Sequence, residues 1–190
     1  YTSAAFREKL EGSFSGYLKN FTDNTNIAGV ILHNEPGYFW KADRLFDYNP
    51  NTIATWRKWL QQRHGDIATL NTRWGTSHES FEKIDPPGMP PAENMGAWMD
   101  WRRFHATIIG EFMAWEADFF KTQRPDVPRS TNLAGPLDHW YAIRSGDNYL
   151  CSRPMDVVGI DIYPTQWSSR VLIPYTMDMS TGVAAGRDVH

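Results

Sequence analysis

The chain has 190 residues, 41% hydrophobic and 22% charged, which fits one globular domain and argues against disorder. A formal net charge of −3 offers no electrostatic footprint for nucleic acid or an anionic membrane, and no apolar run reaches the roughly 18–20 residues that span a bilayer. The one cysteine, Cys151, excludes an internal disulfide and any cysteine-cluster zinc site.

Phe6, Leu10, Phe14, Tyr17, Leu18 and Phe21 recur at three- and four-residue spacing, which predicts an amphipathic helix over 3–21. Asn20-Phe21-Thr22 matches an N-glycosylation sequon, a triplet that chance supplies often. After a polar break, Ile27–His33 is a short apolar run bounded by turn signals, the pattern of a strand buried on both faces in a parallel sheet. Residues 41–52 read as a loop. Thr52–Arg63 reads as a helix with Asn51 or Thr52 as N-cap and Gly65 beyond its end, and Asp66–Thr72 as a short helix. Residues 76–97, rich in Pro, Gly, Ser and Glu, read as a long surface excursion.

Trp98–Thr122 carries the clearest helical stripe, including Trp101, Phe104, His105, Ile108, Phe112 and Trp115, and Arg124-Pro125 ends it. Val127–Leu133 reads as a strand, Leu137–Leu150 as a loop and helix, and Asp156–Tyr163 as a buried strand stopped by Pro164. A helix near 168–185 follows. This alternation is that of βα units. No dinucleotide fingerprint or phosphate loop follows any strand. The strands end instead in polar and aromatic residues: His33-Asn34-Glu35, Thr131-Asn132 and Asp161-Ile162-Tyr163. Active sites of (β/α)₈ TIM barrels are built at the C-terminal ends of the strands. The predicted fold class is therefore α/β, a partial TIM barrel, with residues 1–190 in one domain.

Glu35 stands at such an end, with Pro36 restricting the backbone and removing a competing N–H donor. Glycoside hydrolysis uses a carboxylic acid that holds its proton near neutrality, and an amide such as that of Asn34 suits a sugar hydroxyl. The same residues also suit a turn carboxylate or helix cap. Nine tryptophans fit sugar-binding faces and ordinary core packing equally.

Asn34-Glu35-Pro36 after a buried strand resembles the acid/base motif of clan A glycoside hydrolases. ATWRKWLQQRHGDIATLNTRWGT (54–76), WMDWRRFHATIIGEFMAWE (98–116) and PRSTNLAG (128–135) resemble family 42 β-galactosidases more closely. Asp100-Trp101-Arg102-Arg103-Phe104, Ser130-Thr131-Asn132 and Asp161-Ile162-Tyr163-Pro164 match that family's motifs in order, over about residues 5–165. The resemblance implies a retaining double displacement on β-galactosides, a carbohydrate substrate and no cofactor. Glu35 would be general acid and then general base, and Asn34 a substrate hydrogen-bond donor. Asn132, Asp161 and Tyr163 would line the sugar site. Asp161 could instead make a structural hydrogen bond, Tyr163 and Trp74 could each be a sugar platform or packing, and His33 suits the core better than a metal.

Two departures from the family matter. Residues 38–50 lack the cysteine cluster that holds zinc in many members, so no metal is expected. A retaining enzyme also needs a second carboxylate about 5–5.5 Å from the first, and in the clan it ends the seventh strand. None of the other glutamates stands at a strand end, so that nucleophile is expected just beyond His190 and the 190 residues alone are expected to be inactive. A half-barrel leaves open edges, and a homo-oligomer paired along them is one expected consequence. Another clan A specificity (β-glucosidase, mannanase or cellulase) and a non-catalytic carbohydrate-binding barrel are the alternative readings.

Overall fold

In a computed structural model the described residues are 1–38, 47–88, 93–134, 145–163 and 171–189. The expected loops at 41–46 and 137–144, the stop at Pro164 and the start of the last helix before residue 171 lie outside them. The described elements are α1 (Ala4–Leu18), β1 (Val30–Asn34), α2 (Pro50–His64), α3 (Ile67–Trp74), α4 (Met95–Gln123), β2 (Arg129–Leu133), α5 (Asn148–Ser152), β3 (Val157–Ile160), α6 (Leu172–Ala184) and β4 (Asp188–Val189). All strand pairs are parallel and the sheet order is β1-β2-β3-β4.

The helix starts follow local capping chemistry. Asn49 accepts from the backbone N–H of Thr52 and Pro50 occupies the first turn, so α2 begins earlier than the expected Asn51 or Thr52 cap. Asp66 caps α3 through the N–H of Thr69, and Gly75 ends it in a left-handed conformation. Asn94 caps α4 through the N–H of Ala97, which carries that helix back into the expected surface excursion. Within the excursion Phe81 and Ile84 are buried, so this stretch is packed rather than merely solvated.

Two apolar clusters hold the elements together. Trp56, Leu60, Leu70, Trp74, Trp101 and Phe104 fill the space between α2, α3 and α4. Ile109, Met113, Leu133, Cys151, Met155 and Val158 join α4 and α5 to the sheet. Burying each large apolar side chain contributes about 2–3 kcal/mol. At the N-terminal ends of the strands, Arg129 clasps Asp156 with its Nε and Nη2 at 2.7 and 2.8 Å, and its Nη1 donates to Ala117 O on α4.

The expected amphipathic helix forms as α1, whose half-buried face, including Leu10, Phe14 and Leu18, lies toward α4: Phe14 packs against Phe119, and the indole N–H of Trp115 donates to Glu11. Strand β1 lies at the edge of the described sheet: Leu32 packs on the second cluster, whereas Ile31, on the other face, is 67% exposed within these 190 residues. A continuous apolar run cannot reveal whether both faces are covered.

Candidate active site

Strand β2 alternates regularly, with Arg129, Thr131 and Leu133 buried and Ser130 and Asn132 on the other face. Strand β1 does not keep step. Ile31 pairs with Ser130 and Asn34 with Asn132, so three steps of β1 run beside two of β2. The extra residue is a bulge, the usual device for re-aiming a side chain at a strand end. It lets both Leu32 and His33 turn toward α4, where His33 Nε2 lies 2.7 Å from the buried Glu116 carboxylate. It also puts Asn34 on the face of Asn132, and the Asn132 Nδ2 donates to Asn34 Oδ1 at 2.7 Å.

Glu35 follows immediately, and its backbone N–H donates to Asn132 O at 2.7 Å. Its φ of 47° lies in the left-handed region, which costs a residue with a Cβ about 1–2 kcal/mol. The next residue, Pro36, is buried. The chain therefore turns sharply at Glu35 and leaves its carboxyl at the strand tip, partly exposed. Strained backbone of this kind clusters at functional sites.

Strand β3 delivers the other two polar groups. Gly159 pairs with Asn132, and an added Cβ would stand 2.9 Å from Thr131 O, so the close approach of β2 and β3 requires glycine there. Beyond the strand, the Asp161 N–H donates to Leu133 O at 2.8 Å, which fixes the backbone that carries its carboxylate. The Tyr163 hydroxyl donates to Asp161 Oδ2 at 3.4 Å. Asp161 first, partial desolvation second and Glu35 third push the Tyr163 phenol above its ordinary range. Asn34, Glu35, Asn132, Asp161 and Tyr163 thus occupy the C-terminal tips of adjacent parallel strands. Tyr163 is 69% exposed, as an open aromatic face would be.

Trp74 is not brought to this group. It lies on α3, 8% exposed, with its ring against Trp56 and its indole N–H donating to Asp100 Oδ2 at 3.0 Å. Asp100 also accepts from Arg63 and pairs with His64 Nε2, so the Trp74 ring serves packing and a buried polar network. That corrects the sugar-platform alternative for this side chain. Within the motif 100–104, Asp100, Trp101 and Phe104 likewise build the joint between α2, α3 and α4.

The sequence reading missed the supports of the Glu35 turn. Tyr1 donates its hydroxyl to Gly37 O at 3.4 Å, and Tyr38 packs edge-on against His105. A histidine inside the apolar stripe of α4 was the available signal, since a buried imidazole needs partners. Among the described residues, no three His, Cys, Asp or Glu side chains converge as metal ligands, and no helix is long and apolar enough to cross a membrane.

The family model of glycoside hydrolase family 42, β-galactosidase, matches residues 1–188. The chain belongs to that family. It is 31% identical to β-galactosidase LacZ of Heyndrickxia coagulans, over 90% of this chain and 27% of that protein. To a β-galactosidase of an Arthrobacter species it is 27% identical, over 97% of this chain and 27% of the relative. A crystal structure of β-galactosidase from Bacillus circulans sp. alkalophilus superposes with a TM-score of 0.79 at 23% identity, covering 96% of this chain and 27% of that one, which establishes a common fold. The chain spans about a quarter of the length of these relatives. Its parallel βα units are a section of the family's (β/α)₈ barrel, and the family acts on carbohydrate.

Proposed function

We propose that the full-length protein hydrolyses β-galactosides by a retaining double displacement, with Glu35 as general acid in the first step and general base in the second. The observation that carries this reading is the position of Glu35. It turns out of β1 in a strained conformation, hydrogen-bonded through its N–H to Asn132, beside Asn34, Asp161 and Tyr163. A protonated Glu35 would give its proton to the departing glycosidic oxygen, and its carboxylate would then take a proton from the attacking water. Asn34, oriented by Asn132, would hold a sugar hydroxyl, and Tyr163 would offer a ring face to the pyranose.

The second carboxylate of the pair comes, on this reading, from sequence other than these 190 residues. Glu8, Glu11, Glu111 and Glu116 lie within α1 or α4, and Glu116 is occupied with His33. Residues 1–190 are then one continuous part of a single catalytic barrel, without a site of their own.

The test is turnover of lactose and of a nitrophenyl β-galactoside by the full-length protein and its Glu35→Gln variant. Loss of lactose turnover by about 10²-fold or more, with the fold retained, is expected when a general acid is removed. Turnover of a β-glucoside or mannoside in place of the galactoside would move the specificity within the clan. Sugar binding without any turnover would make the protein a carbohydrate-binding barrel.

A further inference from the structure

The two described shoulders of the segment after Glu35 meet on one imidazole. On the entry side, Tyr38 packs edge-on to His105 of α4, with centroids 4.6 Å apart and planes at 85°. On the exit side, the backbone N–H of Asp47 donates to His105 Nε2 at 3.4 Å. Nδ1 of the same ring lies 2.8 Å from Trp101 O, a carbonyl that can only accept, so the ring proton sits on Nδ1. Nε2 is left with the lone pair that the Asp47 N–H requires.

The setting keeps that tautomer neutral. His105 is 1% exposed, with the Trp101 ring 4.3 Å away, and burial lowers its pKa to about 4. The charged or titratable groups facing it among the described residues are the Asp47 carboxylate, the Arg102 guanidinium and the Tyr38 phenol. Asp47 is itself fixed, because its Oδ2 accepts from the Thr52 hydroxyl at 2.7 Å in the first turn of α2.

We propose that His105 is a positioning residue for Glu35: its neutral, Nδ1-protonated imidazole ties Tyr38 to Asp47 and so fixes the direction in which the chain leaves β1. Only Pro36 and Gly37 separate Glu35 from Tyr38. A backbone shift at Tyr38, once its ring is released from His105, has only that short link to cross before it reaches Glu35. Misplacing a proton donor by about 1 Å costs up to 10²-fold in rate. In the first step the cost falls on leaving groups that need protonation; in the second, where Glu35 acts as base, it falls on all substrates alike. The inference rests on Glu35 being the acid/base.

The experiment compares lactose, whose sugar leaving group needs the proton, with a nitrophenyl galactoside, whose leaving group does not, in the full-length protein. The variants are His105→Phe, which keeps an aromatic ring but lacks the acceptor, and His105→Gln, whose amide oxygen can replace Nε2. The comparison is read in kcat/KM, which reports the step in which the leaving group departs. His105→Phe is expected to lower kcat/KM on lactose about tenfold or more and that on the nitrophenyl galactoside much less, with His105→Gln recovering most of the loss. Equal losses of kcat/KM on both substrates, or none, would overturn the proposal. If His105→Phe does not fold, Tyr38→Leu carries the same comparison. Glu35→Gln is run alongside: retention of lactose turnover there overturns both readings, whereas its loss together with an unaffected His105→Phe overturns the positioning role alone.

Discussion

Asn132 and Asn34 are joined amide to amide across the tips of β2 and β1, and the same Asn132 receives the Glu35 N–H on its carbonyl oxygen. One residue therefore orients both the amide and the backbone of the carboxylate next to it. Asn132→Ala keeps the carbonyl and removes the side-chain donor. It is expected to lower kcat/KM on β-galactosides by about tenfold, the worth of one oriented hydrogen bond, with a stability loss near 1 kcal/mol. Steady-state kinetics and urea denaturation of the full-length protein check the two effects separately.

Glu35→Gly should part stability from activity. Glycine adopts φ near 47° without a Cβ clash, so relief of strain is set against a greater loss of backbone entropy. The variant is expected to be at least as stable as the parent, by up to about 1 kcal/mol, while lactose turnover is lost. A lower denaturation midpoint than that of the parent would show that the Glu35 side chain itself holds the turn.

The Arg129–Asp156 clasp should set an acid limit on stability. The hydrogen bonds from Arg129 hold the Asp156 carboxyl down at about 2. A depressed carboxylate pKa stabilises the fold above the unfolded value near 4, and that contribution is lost as the pH falls toward 2. Asp156 is 43% exposed at its side chain, so solvent screening reduces the contribution to about 1 kcal/mol. Urea denaturation of the wild type and Asp156→Asn at pH 7 and pH 2.5 is expected to show a gap at pH 7 that narrows at the lower pH.

Trp74→Phe separates packing from sugar contact. It keeps a ring against Trp56 but removes the N–H that reaches Asp100, whose other partners Arg63 and His64 remain. A stability loss of about 1–2 kcal/mol with KM unchanged is expected. A raised KM with stability unchanged would return Trp74 to the sugar site.

The βα alternation, the long α4 and the strand-end positions of Asn34, Glu35, Asn132, Asp161 and Tyr163 were legible because periodicity and turn residues are local signals. Covering was not legible: the apolar run through Ile31 reads the same whether or not its second face is filled. Nor was the Asn34–Asn132 pair, which joins residues 98 apart and depends on a bulge without a sequence signature. Trp74 was left open because indole serves cores and sugar clefts alike, and its partner Asp100 is 26 residues away. Asn51 and Thr52 both read as caps for α2, yet Pro50 marks the first turn and Asn49 is the cap.

The bulge in β1 makes the strand change reading frame between Ile31 and Asn34. Ahead of it odd-numbered residues face the same way as Ser130; after it an even-numbered one does. Residue count across that interval therefore matters as much as residue identity. Running the strand in regular register with every residue kept would pair Asn34 with Leu133 instead of Asn132 and turn the amide toward the helices. Anyone transplanting this strand tip into another scaffold must carry the five residues from Ile31 to Glu35 as a unit, because the Asn-Glu-Pro triplet holds the functional groups without the offset that aims them.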